Sequence, residues 1–374
     1  MVGPAREIDL ATYRVTVAAG ALDRAGEITS RVAPAHQYAI VTDSNVGPLH
    51  ADRLCAALGD VRRQVFTIDA GEAHKTRETW ASLTDTLLHA GFGRDAAVIA
   101  LGGGVVGDLA GFVAATYMRG IPYVQVPTSL LAMIDASVGG KTGVDTSAGK
   151  NLVGAFHQPA AVIADISVLE TLPRDHVRAG FAEAIKHGVI ADASYFETTA
   201  RLAAAVDALD ISSDAMLDVV ARSIEIKASI VGQDEREGGI RKTLNFGHTI
   251  GHAVELCSDY SILHGNAVAI GMACEAEIAE LIGVAERGTA RRVRDALVEA
   301  RLPVAAPTAM SRNAILRATH TDKKARGGRV EYTLPIRIGT MADASGRWSM
   351  PVDDELVQQT LQIGQESKTN LTGR

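Results

Sequence analysis

The chain is short of cysteine, of long apolar runs and, over one long stretch, of proline. Its three cysteines, Cys55, Cys257 and Cys274, follow no spacing pattern. That excludes a disulfide framework and a thiolate metal site, and leaves small core fillers in a reducing compartment. Glycine or charge interrupts every apolar run well before the ~18 residues a membrane span requires. MVGPAREIDL carries charge where the apolar region of a signal peptide would lie. The expectation is a soluble, cytoplasmic protein with no membrane partner. Charge is also modest, 22% of residues with a formal net of −7, which argues against nucleic acid as a partner. A small anionic substrate remains compatible, because a pocket can be basic inside an acidic protein.

What the chain does have is apolar mass: 47% of its 374 residues are hydrophobic, enough for sizeable cores and about two domains. Its first half alternates short β-branched runs with segments of helical period. Tyr38–Thr42 ends in Asp43, Ala96–Leu101 in three glycines, Tyr123–Val126 in Pro127, and Ala161–Ala164 in Asp165. Runs of this length, closed by turn residues and separated by helix-length segments, predict a mostly parallel sheet covered on both faces. Between Pro173 and Pro303 there is no proline, alanine is frequent, and apolar residues recur at helical spacing, as in Ala182, Ile185 and Val189. That stretch predicts a helical domain. RVEYTLPIRIG (329–339) predicts a short strand pair with Pro335 at an edge or turn.

Four stretches carry chemistry. In LGGGVVGDLAG (101–111) a strand runs into glycines and then a helix, the geometry in which backbone N–H groups and a helix N-terminus receive a pyrophosphate. A tight turn without a ligand would look the same. Asp43 at the end of an earlier strand, where an acid holds a ribose hydroxyl, and the loop Gly71–Lys75 favour the dinucleotide reading. DASVGGKTGVDTSAGKN (135–151) sets Asp135, Lys141, Lys150 and Asn151 among glycines that let a ligand approach the backbone. FAEAIKH (181–187) places Glu183 and Lys186 three apart within apolar surroundings, and Lys227 sits in a similar context. Lastly, LNFGHTIGHAVE (244–255) puts His248 and His252 on one helix face, with Arg241 and Asn245 before them and His264 after. A lone helical histidine is usually structural. Three so close, with Glu183 on a preceding helix, suggest a metal site with three protein ligands, though spacing does not say which two histidines bind.

GGGVVGDLAG, VPTSLL…DASVGGKTGV…GKNLVGAF, FAEAIKHG, RKTLNFGHTIGHAVE, LHG and HTDKK occur in this order. Together they resemble the 3-dehydroquinate synthase family of sugar-phosphate cyclases, over roughly residues 10 to 360. The resemblance implies an α/β + α fold: a Rossmann-like NAD-binding domain over 1–174 and a mainly helical metal- and substrate-binding domain over 175–374, with the active site in the cleft between them. It implies a divalent metal (Zn or Co) held by Glu183, His248 and His264, with His252 facing the substrate instead. NAD contacts would fall on Asp43, Asn45, Glu72, Lys75, Gly103, Gly104, Asp108, Thr128, Ser129, Lys150 and Thr171. Substrate contacts would fall on Asp135, Lys141, Asn151, Lys186, Lys227, Arg241, Asn245, His252 and Lys323, and Arg119 would reach the site of the second subunit of a homodimer. Ser129 stands where threonine is usual, and keeps the hydroxyl.

The reaction implied converts 3-deoxy-D-arabino-heptulosonate 7-phosphate to 3-dehydroquinate and phosphate, a step of the shikimate pathway toward aromatic amino acids. NAD takes a hydride from C5, phosphate is eliminated, the hydride returns, and an intramolecular aldol step closes the ring. A cyclase acting on sedoheptulose 7-phosphate, or a deoxy-inosose synthase, would share the NAD and metal residues. It would leave a carboxylate-binding cation without its partner. A metal-dependent polyol dehydrogenase would give the lysines nothing to bind, and a non-catalytic NAD-binding protein would not need the ligand set.

Overall fold

The computed structural model describes residues 5–147, 149–321 and 330–371, and these fall into two compact units. The first comprises the chain up to Pro173 together with Asp210–Ala228; the second comprises Arg174–Leu209 and the chain from Ser229.

The first unit is built on a seven-stranded sheet. Its strands are β1 (Ala5–Asp9), β2 (Arg14–Ala18), β3 (Gln37–Asp43), β4 (Arg62–Ile68), β5 (Ala96–Gly102), β6 (Tyr123–Pro127) and, after a hairpin of β7 (Lys141–Thr146) and β8 (Gly149–Phe156), β9 (Ala161–Asp165). The order is β1-β2-β9-β6-β5-β3-β4, with only β1 antiparallel. β3, β5, β6 and β9 are buried at every residue, which is why they read as unbroken apolar runs rather than alternating ones. Helices α1 (Ala25–Val32), α2 (Gly47–Ala57), α3 (Arg77–His89) and α4 (Gly104–Thr116) join them. α4 is apolar nearly all round, and Val106, Leu109 and Val113 pack with Val98, Ala100 and Phe66 in the core. The chain runs outward from β3 to β4, then returns to β5 on the other side of β3. That reversal leaves a crevice at the carboxyl ends of β3 and β5, where open α/β sheets take their ligands.

The second unit is helical: α5 (Arg174–Ala191), α6 (Ala193–Ala204), the end of α7 (Asp214–Gln233), α8 (His248–Cys257), α9 (His264–Leu281), α10 (Thr289–Glu299), α11 (Arg312–Thr321) and α12 (Asp354–Leu371). α5 and α9 are buried almost all round. Ile250, Val254, Ile270, Ile278, Ile315 and Val357 share one core. The strand pair expected within 329–339 is not formed. Instead β10 (Glu331–Tyr332) pairs with β13 (Met350–Pro351), and β11 (Pro335–Arg337) pairs with β12 (Thr340–Met341). Proline opens β11, the position in a strand where a missing N–H costs least.

Candidate active site

In the second unit three helices each deliver one ligand-type side chain. Glu183 lies mid-α5 and is fully buried; His248 and His264 are the first residues of α8 and α9. The Nε2 atoms of His248 and His264 lie 3.5 and 3.6 Å from the same Glu183 oxygen, Oε1. Zinc with ~2.1 Å bonds in a tetrahedron sets neighbouring ligand atoms roughly 3.4 Å apart, so this donor set fits a divalent ion. Lys186, one turn along α5 and 1% exposed, pairs with Glu183 Oε2. Close helix packing makes the arrangement possible. A Cβ at Gly265 would stand 1.8 Å from the Ala179 carbonyl oxygen, and one at Gly271 would stand 1.9 Å from that of Gly247.

The His252 ring centroid lies 5.3 Å from that of His248 and 6.0 Å from that of His264. His252 thus joins the cluster one turn after a ligand-type histidine. Just before α8, the turn Ile240–Asn245 carries Arg241 and Asn245. It is wound on Asp234, whose carboxylate accepts from the N–H groups of Gly238, Gly239 and Arg241. Burial disfavours that carboxylate, but these hydrogen bonds outweigh it and hold Asp234 below its usual pKa. Lys242 ties the turn to the β10–β13 pair through the Arg347 carbonyl and Ser349 Oγ. Asn245 donates to Glu237. Lys323 lies outside the described residues.

In the first unit several of the residues expected to contact NAD stand at or just after the carboxyl ends of β3, β5 and β6. Asp43 ends β3 and accepts from the N–H groups of Asn45 and Val46. Gly103 caps α4 and Gly104 begins it, while Thr128 N–H donates to the Gly102 carbonyl at 2.9 Å. An added Cβ at Gly103 would meet Ser129 Oγ at 3.6 Å. Thr171 accepts from His50 and donates to the Val168 carbonyl. Asp135 pairs with Lys227 at 2.7 Å. Lys141 opens β7, and the glycine-rich stretch runs on into the start of β8, its hairpin partner. Exposed Arg119 sits in a turn where it and Met118 adopt left-handed φ of 67° and 49°, a conformation costly for non-glycine residues.

Beside the crevice, the Lys75 ammonium lies 3.0 Å from Glu72, 3.3 Å from Asp108, 3.6 Å from Asp145 and 2.9 Å from Asn151 Oδ1. Lys150 adds a second cation to Glu72 at 3.3 Å. Burial works against every charge here. For Lys75 the three carboxylates outweigh it and raise its pKa further; for Glu72 the two lysines outweigh it and bring its pKa down to about 2. For Asp108 burial wins, helped by Glu72 and Asp145, and its pKa is pushed up to about 6.

This makes a pH test. A carboxyl with a raised native pKa binds its proton more tightly folded than unfolded, so stability is lost as pH rises from about 4 toward 6. A shift from 3.8 to about 6 corresponds to roughly 3 kcal/mol at full burial. Asp108 keeps 21% of its side-chain surface, so about 2 kcal/mol is expected. The depressed Glu72 acts only below pH 4.5 and in the opposite sense. Asp108→Asn should therefore match the parent at pH 4 and exceed it by about 2 kcal/mol at pH 7.5, since Lys75 keeps Glu72 and Asp145. Parallel denaturation curves at both pH values would refute this.

Asp145, Glu237 and Glu255 hold this machinery and were not singled out by the sequence reading. Asp145 accepts from Asn151 N–H, and its own N–H donates to the Lys75 carbonyl. One compositional signal points to the site. Lysine is scarce, and Lys75, Lys141, Lys150, Lys186, Lys227, Lys242, Lys323 and Lys324 all fall in or beside the motifs, with only Lys368 elsewhere. Arginine carries the remaining positive surface, so a lysine in this chain is itself informative.

A glycine-ended strand at a topological switch point in one unit, and a carboxylate–imidazole–imidazole set in the other, define a class. It is that of two-unit α/β proteins with a dinucleotide-type sheet and a metal-type helical part. The sequence model of the 3-dehydroquinate synthase N-terminal domain matches residues 65–179, and that of the C-terminal domain matches residues 180–325. The chain belongs to the 3-dehydroquinate synthase family. It is 46% identical over 332 residues to 3-dehydroquinate synthase from Symbiobacterium thermophilum, covering 87% of this chain and 92% of that protein. Among solved structures, 2-deoxy-scyllo-inosose synthase complexed with carbaglucose-6-phosphate, NAD+ and Co2+ is similar at a TM-score of 0.87 and 26% identity, covering 96% of this chain and 100% of that one. The 2-epi-5-epi-valiolone synthase from Streptomyces hygroscopicus subsp. jinggangensis 5008, with NAD+ and Zn2+ bound, gives 0.86 and 29%, covering 98% and 99%.

Proposed function

We infer that this chain is a carbon–oxygen lyase, converting 3-deoxy-D-arabino-heptulosonate 7-phosphate to 3-dehydroquinate and phosphate in the shikimate pathway. The observation that carries the reading is 46% identity to a 3-dehydroquinate synthase across nearly the whole of both chains. The cofactors are NAD and a divalent metal, Zn or Co, as in the solved cyclases. We assign the metal to Glu183, His248 and His264, and the NAD site to the first unit, residues 1–174. The metal- and substrate-binding part is residues 175–374. The metal supplies Lewis acidity toward a substrate hydroxyl, and NAD a reversible hydride acceptor.

The chain's own residues bind and orient. Arg241 offers the planar fork suited to a carboxylate, while Lys141, Lys186, Lys227 and Lys323 offer point charges for an anionic sugar phosphate. Asp135 holds the Lys227 ammonium. Asn151 and Asn245 supply neutral donors, and His252 holds or moves a proton at the substrate. The strained Met118–Arg119 turn supports a further role: in a cytoplasmic homodimer, Arg119 of one copy serves the site of the other. No described helix is long and apolar enough to cross a membrane.

The test is phosphate release from 3-deoxy-D-arabino-heptulosonate 7-phosphate with catalytic NAD+, before and after chelation, following free NADH and running sedoheptulose 7-phosphate in parallel. Release from the first substrate alone, lost on chelation and without NADH accumulating, is expected. Release from the second would assign the chain to the sister cyclases, whose solved members it matches in fold. Stoichiometric NADH would mean a dehydrogenase.

A further inference from the structure

His264 presents its two ring nitrogens to two different carboxylates. Nε2 lies 3.6 Å from Glu183 Oε1, and Nδ1 lies 3.0 Å from Glu255 Oε2. Glu255 is 2% exposed and comes from the last turn of α8, on the face that carries His248 and His252. A buried carboxylate so placed has two possible uses. It can be a ligand, since His252, Glu255 and His264 also bring one ligand atom each within 4.8 Å of one another. Alternatively, it can accept the ring N–H and so fix the histidine for a metal on its far side.

His248 decides between them. It repeats the arrangement of His264: Nε2 is 3.5 Å from Glu183 Oε1, and Nδ1 is 3.2 Å from the Phe246 carbonyl oxygen. Both rings therefore turn Nε2 toward one carboxylate and back Nδ1 against an oxygen. An imidazole that ligates through Nε2 carries its proton on Nδ1 and needs an acceptor there. The backbone that carries Glu255 is itself pinned. Its carbonyl accepts from Ser258 Oγ at 2.8 Å and from Tyr260 N–H at 2.9 Å, where Asp259 and Tyr260 hold left-handed φ of 50° and 59°.

We propose that Glu255 is a positioning residue for the metal site, accepting the Nδ1–H of His264, fixing the tautomer that offers Nε2 and strengthening that nitrogen as a donor. The proposal rests on Glu183, His248 and His264 being the ligands. It also gives the two histidines different strengths, because His264 is backed by a charged acceptor and His248 by a neutral one. Two carboxylates balance a divalent cation, leaving Lys186 as surplus positive charge toward an anionic substrate.

The test titrates Co2+ into metal-free full-length protein, reading affinity by chelator competition and coordination by the d–d absorption bands. NAD affinity and the thermal midpoint of the metal-free protein serve as folding controls. Glu255→Ala should weaken Co2+ binding about 10- to 100-fold. Glu255→Gln, whose amide oxygen still accepts the N–H, should fall between it and the parent, with the band pattern kept and the controls unmoved. His248→Ala should bind too weakly to compete. Parent-like Co2+ binding by His248→Ala would overturn the ligand assignment itself. Loss in His248→Ala alongside parent-like affinity and bands in Glu255→Ala would overturn the proposal alone. If Glu255→Ala failed as completely as His248→Ala, Glu255 would be a ligand and not a positioner.

Discussion

Lys186→Met is expected to lower the stability of the metal-free protein by about 3 kcal/mol, and to do so far less once a divalent metal is bound. Glu183 is fully buried and Lys186 is 1% exposed, and the two pair one helix turn apart. Removing one partner of a buried pair costs about 3–5 kcal/mol, because the other charge keeps its desolvation penalty. The low end applies here. Burial disfavours an imidazolium at His264, but Glu255 and Glu183 outweigh it and push its pKa up to about 10, so it shares in compensating Glu183. A metal ion in the same place restores the missing positive charge. The thermal midpoint should fall by roughly 10 °C in chelator, at about 2–4 °C per kcal/mol for a unit of this size. Metal should then raise the variant's midpoint more than the parent's. Equal losses with and without metal would show that Lys186 supports the helix rather than the charge of Glu183.

How far the site could be read in advance varied with the kind of signal. Local chemistry was legible. The strands ending in Asp43 and in Gly102 and the proline-free helical stretch follow from residue type and short-range order, whereas spacing left open which two histidines join Glu183, and only the family resemblance singled out His248 and His264. The glycines of the stretch 135–151 gave no sign of the β7–β8 hairpin, because glycine depresses strand propensity. Its glycines are needed for the opposite reason. A Cβ at Gly154 would stand 2.0 Å from the Thr142 carbonyl oxygen, so the two strands close only around a bare backbone. Asp145 and Glu255 escaped notice because their partners are set by tertiary packing, with no period to betray them. Glu255 sits seven residues after His248, on the face already marked as chemical. The helical period extended by one more step would have found it.

Close packing of α9 on α5 gives Gly265→Ala a large effect, although the change is one methyl group and touches no ligand atom. The added Cβ would lie 1.8 Å from the Ala179 carbonyl oxygen and 2.5 Å from its carbonyl carbon. Both belong to a buried helix backbone and cannot turn aside as a side chain would. α9 and α5 must separate by more than an ångström, and overpacking of that kind costs about 1–3 kcal/mol or more. The site feels it directly. His264 is the residue before Gly265, and Glu183 lies one turn on from Ala179 along α5, so the two ligand-type groups move apart with their helices. We expect Gly265→Ala to lose Co2+ affinity more than about 100-fold, against the 10- to 100-fold reserved for an outer-shell contact. Gly232→Ala is the control. Gly232 lies in α7, exposed, with nothing within 4 Å of an added Cβ. There the same methyl group should stabilise the fold by about 0.4–1 kcal/mol. Parent-like Co2+ affinity in Gly265→Ala would mean that helix spacing does not set the ligand geometry.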